Sequence, residues 1–366
     1  MIPYERETST RSAKKRLYEA FSELDLPLPH LLKLASGSVV LAVDKETKAN
    51  AQGAGKGQNP ELGALAECFE HTVYENFQSP ISQKLSIAEI CAQHTLRSDP
   101  TLNSLQRMGA TLLECSSWQH TIGSVWLPDA LTQVEHSNNR TQAEQILSRY
   151  STNSGTAYGS TEREAITHGV LEIIERHFVS ELFFAELFGK EISGLKKIKE
   201  DIVHSRERNS YLISNYMGVS VAVCIEVDKA QNLLPIISSG ASLDPLHAFE
   251  RASTEFKQIS VVSNEETEQE DLSAISYLKS IPGLEKLISP SPTAKEVIPI
   301  PKQSSQSFDN QWRTLTSIMQ TLELCTRSLY KGPSNQSVVQ VYSPKLSRFN
   351  LIRNGQMVAP LHFEIS

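Results

Sequence analysis

A long helix predicted over residues 161–186 constrains the fold more than any other feature of this sequence. It follows a loop rich in Gly and Ser, and its apolar residues recur at helical spacing. The opposite side of the helix carries three carboxylates and a histidine within about 80° of arc: Glu164, His168, Glu172 and Glu175. Carboxylates on so narrow a strip repel one another unless cations or the bordering Arg176 intervene. The pattern is therefore equally typical of an ordinary amphipathic helix and of a cation-binding site.

A second predicted helix, 61–75, carries Glu67 and Glu70 at positions i and i+3. Side chains at this spacing share one helical face and can hold a divalent cation between them. A solvated helix face gives the same pattern, and it is the more common origin of any single pair of this kind.

The segment before that helix, 49–59, is predicted to be a loop of small residues. Its Gly53-Ala-Gly-Lys-Gly57 sequence could let backbone amides approach a phosphate, with Lys56 beside them. Because Lys56 is followed by Gly rather than by Ser or Thr, the segment is not a Walker A loop, and it does not match the dinucleotide fingerprint either. Taken alone, it is more typical of a flexible turn.

A third predicted helix, 245–260, carries Arg251, Glu255 and Gln258 at positions i, i+4 and i+7 of one face. Taken alone, this pattern indicates an intrahelical ion pair. Together with the two acidic helices and the Gly-Lys segment, it supplies the parts of an ATP site. Carboxylates can hold Mg²⁺, and Lys and Arg can neutralise the charge of the phosphates.

The remaining pattern favours an α/β or α+β fold, because predicted helices alternate with pairs of strands. A helix is expected at residues 11–24. Strands are expected at 38–44, 118–127, 219–227, 233–238 and 338–342. The stretch 264–309 is rich in Ser, Pro, Glu and Gln, and it is predicted to be a variable and partly mobile insertion.

Composition excludes several classes of protein. The 366 residues include 35 Lys and Arg against 42 Asp and Glu, so the chain lacks the basic surplus of a nucleic-acid-binding protein. No apolar run approaches the length of about 20 residues that spans a membrane. The five Cys are widely spaced and never form a CxxC pair, which argues against a disulfide framework and a closed zinc site. A soluble cytoplasmic protein is expected, with no nucleic-acid or membrane partner.

Three runs of sequence together resemble the YcaO family: GKG…ALAECFEH, NSGTAYGSTEREAITHGVLEIIERHF and SGASLDPLHAFERASTEFKQ. The resemblance implies a YcaO-type fold of mixed sheets packed with helices, in a single domain over 1–366. Within it, the core motifs lie at 53–258, the insertion at 264–309, and a terminal strand and tail at 336–366. The resemblance also implies an enzyme that uses ATP and Mg²⁺ to phosphorylate the oxygen of a peptide-backbone amide, after which a nucleophile attacks the amide carbon.

The resemblance assigns site residues by position. It places four carboxylates at the metal positions of the family: Glu67, Glu70, Glu172 and Glu175. It places eight residues at the nucleotide positions: Arg6, Lys56, Ser160, Glu164, Arg176, Arg251, Glu255 and Gln258. Two positions depart from the family, since Ala157 stands where relatives can carry a polar residue and Gly63 replaces a Ser.

The carboxyl-terminal sequence departs from that of the azoline-forming members, which typically end in a Pro-x-Pro-x-Pro segment that enters the active site. This sequence ends VAPLHFEIS, in which Pro360 is the single proline. His362 or the carboxylate of Ser366 could serve as the catalytic base instead. The departure weighs against azoline formation and leaves ATP binding unaffected.

The resemblance implies a ribosomally synthesised precursor peptide as the substrate, with cyclodehydration of Cys, Ser or Thr to azolines as the favoured reaction. Thioamide formation with sulfide, or amidine formation with an amine, is the alternative within the same enzyme class. A non-catalytic nucleotide-binding scaffold and a metabolic enzyme without a peptide substrate are the alternatives from other classes. A separate leader-binding or sulfur-delivery protein is expected as a partner, and a homodimer is a further expectation.

Overall fold

The computed structural model describes residues 4–43, 51–133, 141–198, 207–228, 233–262, 265–303 and 306–347. In chain order, the helices are α1 (Thr10–Glu23), α2 (Pro60–Asn76), α3 (Ile87–Ala92), α4 (Pro100–Asn103), α5 (Asp129–Thr132), α6 (Gln142–Ser148), α7 (Glu162–Phe188), α8 (Pro245–Val262), α9 (Glu265–Ser280) and α10 (Phe308–Thr321). The strands are β1 (His30–Leu34), β2 (Val39–Val43), β3 (Ala51–Lys56), β4 (Ser82–Ser86), β5 (Leu112–His120), β6 (Gly123–Pro128), β7 (Thr156–Gly159), β8 (Leu195–Ile198), β9 (Glu207–Tyr216), β10 (Val219–Val227), β11 (Ile236–Ser242), β12 (Glu296–Ile298), β13 (Cys325–Lys331) and β14 (Ser337–Tyr342).

The strands form three sheets. The first sheet has the order β1-β2-β3, and the second has the order β4-β5-β13-β14-β7, with β6 also paired to β5. The third has the order β11-β10-β9-β8-β12. Among the described strands, only β12 and β8 pair in parallel. The prediction of an α+β fold with mixed sheets packed by helices is confirmed.

Helix α7 is orientated by the burial of its apolar face. The side chain of its N-cap residue, Thr161, accepts a hydrogen bond from the N–H of Glu164. Val170, Ile174 and Phe178 are fully buried in a cluster with residues of β9, β10, β14 and α10. This packing turns the acidic strip of α7 away from the cluster. None of the helices in the described ranges, α7 included, has both the length and the apolar character to cross a membrane.

Three strands at the ends of their sheets each pack closely against one helix: β3 against α2, β7 against α7 and β11 against α8. Glycine permits this approach. A Cβ added to Gly55 would overlap the carbonyl oxygen of Pro60, and one added to Gly240 would lie 2.5 Å from the carbonyl oxygen of Ala248. Each of these helices therefore lies within side-chain reach of the unpaired edge of a sheet.

The structure corrects three of the predicted boundaries. Residues 51–56 form strand β3 rather than part of a loop, because their small side chains allow them to fit between β2 and α2. Residues 118–127 are the two arms of the β5–β6 hairpin rather than one strand. The Gly- and Ser-rich loop predicted before residue 161 ends in strand β7, which pairs with β14.

The Ser- and Pro-rich stretch 264–309 carries regular structure. It contains α9, β12 and the start of α10. Ile275 and Leu278 of α9 are buried beside Phe183 of α7, and β12 extends the third sheet. Part of this stretch is thus packed onto the helix that bears the acidic strip.

Replacing Gly240 by Ala tests the close approach of α8 to β11. The new Cβ would lie 2.5 Å from the carbonyl oxygen of Ala248 and 2.6 Å from the Cβ of Arg251, so the helix and the sheet must separate. We expect the free energy of unfolding, measured by urea denaturation, to fall by about 3 kcal/mol, as overpacking does. Gly189→Ala is the control, because Gly189 has a φ of 62° and no neighbouring atom within 4 Å. Backbone strain alone should then cost about 1 kcal/mol. Equal losses in the two variants would contradict the close approach.

Candidate functional site

Two of the predicted metal-binding glutamates are held by the same strand, although they come from different helices. Glu70 of α2 accepts a hydrogen bond from the backbone N–H of Tyr158 (2.9 Å). Glu172 of α7 accepts one from the N–H of Gly155 (3.3 Å). Tyr158 lies in β7 and Gly155 immediately precedes it, so the two predicted metal-binding helices meet at this strand.

Strand β3 connects α2 to α8 in the same way. The N–H of Ala54 donates a hydrogen bond to Glu67 Oε2 of α2 (3.1 Å). The carbonyl oxygen of Ala54 accepts one from the side-chain amide of Gln258 of α8 (3.3 Å). One residue of β3 thus joins a predicted metal ligand to a predicted nucleotide-binding residue.

Strand β11 connects α7 to α8. Glu175 of α7 accepts hydrogen bonds from the hydroxyl of Ser239 (2.7 Å) and from the N–H of Ala241 (2.9 Å). Glu255 of α8 accepts one from the N–H of Ser239 (3.3 Å). The edges of the three sheets therefore converge, and each edge is shared by two of the helices α2, α7 and α8.

The unpaired edge of each sheet explains this use of carboxylates. A backbone N–H at an edge has no partner within its sheet, and it costs about 1–3 kcal/mol if it is shielded from water and left unsatisfied. A carboxylate satisfies it with a charge-assisted hydrogen bond, which is stronger than a neutral one. Because an ionised carboxylate has about four lone-pair sites, this contact fixes the carboxylate and leaves acceptors for a cation.

The carboxylates of the site lie close enough to repel one another. Burial and the neighbouring Glu172 raise the pKa of Glu70 well above its ordinary value, although the hydrogen bond from Tyr158 opposes this rise. Burial also raises the pKa of Glu172 to about 7, while Arg176 opposes the rise and Glu175 adds to it. A divalent cation stabilises a cluster that resists ionisation in this way.

Three cations border these carboxylates. Arg176 Nη2 is 3.8 Å from Glu172 Oε1, and Lys56 Nζ, at the end of β3, is 3.6 Å from Glu255 Oε2. Burial lowers the pKa values of Arg176 and Arg251, but the surrounding carboxylates outweigh burial and raise both above the ordinary value. The site therefore combines oxygen ligands with fixed positive charge, as the binding of a metal-bound polyphosphate requires.

Glu164 connects the start of α7 to residues 4–9. Its fully buried carboxylate accepts hydrogen bonds from the backbone N–H groups of Thr8 (3.0 Å) and Ser160 (3.0 Å). The hydroxyl of Ser160 also donates to it (2.7 Å), and Arg6 Nη1 lies 3.8 Å away. The structure thus brings together three predicted nucleotide-binding residues: Arg6, Ser160 and Glu164.

The donor set fits Mg²⁺ with a nucleotide better than a metal held by protein alone. Within the described ranges, no three His, Cys, Asp or Glu side chains are grouped closely enough to hold a metal ion. Mg²⁺ usually binds one or two carboxylates and completes its shell with water and phosphate oxygens, which suits paired glutamates. Gln258 Oε1 and His168 Nε2 are shielded from water and have no hydrogen-bond partner among the described residues. These two polar atoms are therefore available to hydrogen-bond a ligand.

Sequence reasoning missed Glu5 and His247. Glu5 is almost fully buried, and its carboxylate accepts hydrogen bonds from the Ser242 hydroxyl (2.5 Å) and from Arg251 Nη1 (3.4 Å). His247 Nε2 lies 3.7 Å from the same carboxylate. No sequence signal could have found these contacts, since Glu5 and Ser242 are 237 positions apart.

The two departures from the family pattern lie beside the site. Gly63 of α2 faces β3, where an added Cβ would lie 3.2 Å from the Cα of Gly55, so close helix–strand packing favours glycine. Ala157 is buried in β7 opposite Val339. The predicted catalytic residues His362 and Ser366 lie outside the described residues and stay predictions.

Sequence comparison identifies one family. A family model described as YcaO cyclodehydratase, ATP- and Mg²⁺-binding, matches residues 54–347. A search of the curated proteins gives no match.

Solved structures share the fold. A heterocyclase in complex with substrate and cofactor has a TM-score of 0.63 at 16% identity. That match covers 94% of this chain and 53% of the other, so this chain spans about half the length of the heterocyclase. YcaO from Methanopyrus kandleri, bound with AMPPCP and Mg²⁺, has a TM-score of 0.62 at 14% identity over 94% and 92% of the two chains. The E. coli microcin synthetase McbBCD complex with pro-MccB17 bound has a TM-score of 0.59 at 13% identity over 87% and 88%.

The region that the family model matches begins within β3 and extends past β14. It therefore includes the end of β3, the whole of β7 and β11, and the three helices that form the site. ATP and Mg²⁺, the ligands of that family, suit the paired carboxylates and the bordering cations. This chain belongs to the YcaO family.

Proposed function

We propose that this protein uses ATP and Mg²⁺ to activate backbone amides of a ribosomally synthesised peptide by phosphorylating the amide oxygen. The favoured product is an azoline, formed when a neighbouring Cys, Ser or Thr side chain attacks the activated carbon. The observation that carries the proposal is the convergence of carboxylates and cations at the edges of three sheets.

The carboxylates of α2 and α7 would hold Mg²⁺ ions in this proposal, with one or two carboxylates to each ion: Glu67, Glu70, Glu172 and Glu175. Mg²⁺ held there would neutralise the charge that develops on the phosphates. Backbone hydrogen bonds already fix the four carboxylates to β3, β7, β11 and Gly155, the residue before β7. Ligands that are fixed before the reaction need little reorganisation during it, which favours the transition state.

The cations of the site would neutralise the phosphates. Arg176 and Lys56 lie 3.8 Å and 3.6 Å from their nearest carboxylate oxygens, which is longer than a direct charge-assisted hydrogen bond of about 2.8 Å. Their donors therefore remain available to phosphate oxygens. Because an amide oxygen is a weak nucleophile, holding it in line with the γ-phosphorus supplies much of the rate. The fixed charges of these side chains would serve this purpose.

The position of the last described residue supports the proposed role of the tail. The N–H of Ser347 donates a hydrogen bond to Nδ1 of His177 of α7 (3.1 Å), and Ser347 lines the same small cavity as Arg176. The chain therefore leaves the described region beside the site. His362 or the Ser366 carboxylate would then accept the proton of the attacking side chain.

A partner that presents the precursor peptide is part of the proposal. The microcin synthetase, a complex with pro-MccB17 bound, supports this part. The second candidate function is thioamide formation with a sulfur-delivery partner. It is favoured by the sequence 358–366, which has a single proline. Retention of all four metal-position carboxylates weighs against a non-catalytic scaffold.

Removing one carboxylate tests the metal assignment. Glu172→Ala should lower peptide-dependent ATP hydrolysis at least about 100-fold, as the loss of a single electrostatic contact to the transition state does. Hydrolysis is measured as phosphate release, and chelation of Mg²⁺ should abolish it in the wild type. Glu186→Ala is the matched control on the same helix. Glu186 accepts a hydrogen bond from the N–H of Ser291, which is not a residue of the site, so this variant should keep the wild-type rate. If the wild type and Glu172→Ala both showed equal, negligible ATP hydrolysis under every condition, the proposal of an enzyme would be contradicted.

The intact mass of a co-expressed precursor peptide tests the product. Azoline formation should make the peptide lighter by one water for each ring, because the amide oxygen leaves with the phosphate and the attacking side chain loses its proton. Thioamide formation should make it heavier by the difference between sulfur and oxygen at each site. An unchanged peptide, with ATP, Mg²⁺ and the presenting partner all present, contradicts both products.

Neutralising Glu70 should stabilise the ligand-free protein. Glu70→Gln keeps an oxygen to accept the N–H of Tyr158 and removes a charge that burial and Glu172 disfavour. Because the pKa of Glu70 is raised on folding, its ionisation near pH 7 opposes folding. Without Mg²⁺, the free energy of unfolding of Glu70→Gln, measured by thermal denaturation, should exceed that of the wild type by about 1 kcal/mol.

The same variant should lose its response to the ligand. Mg²⁺ with ATP should raise the melting temperature of the wild type but not that of Glu70→Gln. Glu75→Gln, at an exposed position of α2, is the control and should match the wild type in both measurements. A ligand-free Glu70→Gln protein less stable than the wild type would refute charge repulsion at this position.

A further inference from the structure

The amino-terminal strap, residues 4–9, crosses the site from β11 and α8 to the start of α7. At one end, the ring of Tyr4 packs edge-on against that of His247, with the centroids 5.3 Å apart. At the other end, the N–H of Thr8 donates a hydrogen bond to Glu164 (3.0 Å). The strap thus contacts two of the helices that bear predicted nucleotide-binding residues.

Glu5 is the strap residue with the most constrained environment. Its side chain is 1% exposed, and its φ is 58°, a left-handed value that residues with a Cβ rarely adopt. Three groups surround its carboxylate: the Ser242 hydroxyl at 2.5 Å, Arg251 Nη1 at 3.4 Å and His247 Nε2 at 3.7 Å. Conformations of this kind persist where the surrounding contacts impose them, and they cluster at functional sites.

Arg251 contacts Glu5 through Nη1 and at a long distance. A charge-assisted hydrogen bond is usually about 2.8 Å, whereas this contact is 3.4 Å. A guanidinium group has five N–H donors in a fixed plane. Most of them therefore remain for another anion, while the contact with Glu5 sets the direction in which they point.

One ring atom of His168, on α7, lacks a hydrogen-bond partner in the part of the chain that the structure describes. Nε2 of His168 is shielded from water and has no hydrogen-bond partner among the described residues. Burial, together with the charges of Arg6, Arg251 and His247, lowers the pKa of His168 well below its ordinary value. A neutral imidazole with an unpartnered ring nitrogen and cations in its surroundings suits a neighbouring anionic oxygen.

We infer that Glu5 is a positioning residue for the nucleotide, because it holds Arg251 with its free guanidinium donors directed at a phosphate oxygen. The inference rests on the proposed function and adds to it a residue that acts through Arg251 without touching the nucleotide. Without the charge of Glu5, Arg251 would turn toward its other acidic neighbours, Glu175 and Glu255. The strap is then part of the nucleotide site.

Binding of Mg²⁺ with ATP to Glu5→Gln, measured by titration calorimetry on the full chain, tests the inference. The dissociation constant should rise about tenfold, as it does when a group that orientates a ligand-binding residue is lost. The affinity for adenosine, which has no phosphate, should stay unchanged and so report a folded variant. Glu250→Gln is the matched control. Glu250 is exposed and also lies 3.7 Å from His247, so this variant should keep the wild-type affinity.

A double-variant cycle separates positioning from a general structural role. If Glu5 acts through Arg251, Glu5→Gln combined with Arg251→Ala should bind ATP no more weakly than Arg251→Ala alone. Additive losses would overturn the inference, and so would tighter binding by Glu5→Gln, which would mean that Glu5 competes with the phosphate. Both of these outcomes leave the proposed function intact. A wild-type protein that binds no ATP with Mg²⁺ overturns the proposed function and, with it, the inference.

Discussion

Hydrogen bonds from the unpaired edges of sheets to glutamate side chains are the interaction on which the site depends. Each sheet ends in a strand whose outer backbone groups need partners, and glycine lets a helix approach closely enough to supply them. Glu67, Glu70 and Glu175 each satisfy an edge N–H in this way. The same contacts that complete the sheets therefore determine where the carboxylates of the site lie.

This arrangement has an electrostatic consequence. Burial and, to a lesser extent, the neighbouring carboxylates raise the pKa values of Glu70 and Glu172, so the ligand-free site folds against this electrostatic cost. Arg176 and Lys56 offset part of that repulsion without forming short ion pairs. The net charge of −7 thus has a local component, which bound Mg²⁺ would neutralise in the working enzyme.

The helices that carry the site could be predicted from the sequence, and the strands that organise it could not. The period of α7 is a local property, so the positions of Glu164, Glu172 and Glu175 on one face follow from spacing alone. Strand β3 consists of small residues without alternating polarity, and only its contacts with β2 and α2 make it a strand. The contact between Glu5 and Arg251 depends on a left-handed backbone conformation and on a separation of 246 positions, neither of which leaves a pattern in sequence.

Among the described contacts, most of what the edge strands supply to the site comes from the main chain, with the hydroxyls of Ser239 and Ser242 and the Lys56 ammonium as the exceptions. A backbone N–H is the same for every residue except proline, so many positions of β3, β7 and β11 can change while the donors stay in place. The glycines are the restricted positions, because any side chain there would move the helix. Relatives can therefore diverge to 13–16% identity and keep the same fold. In these strands, the path of the backbone matters to the site more than the identity of most residues.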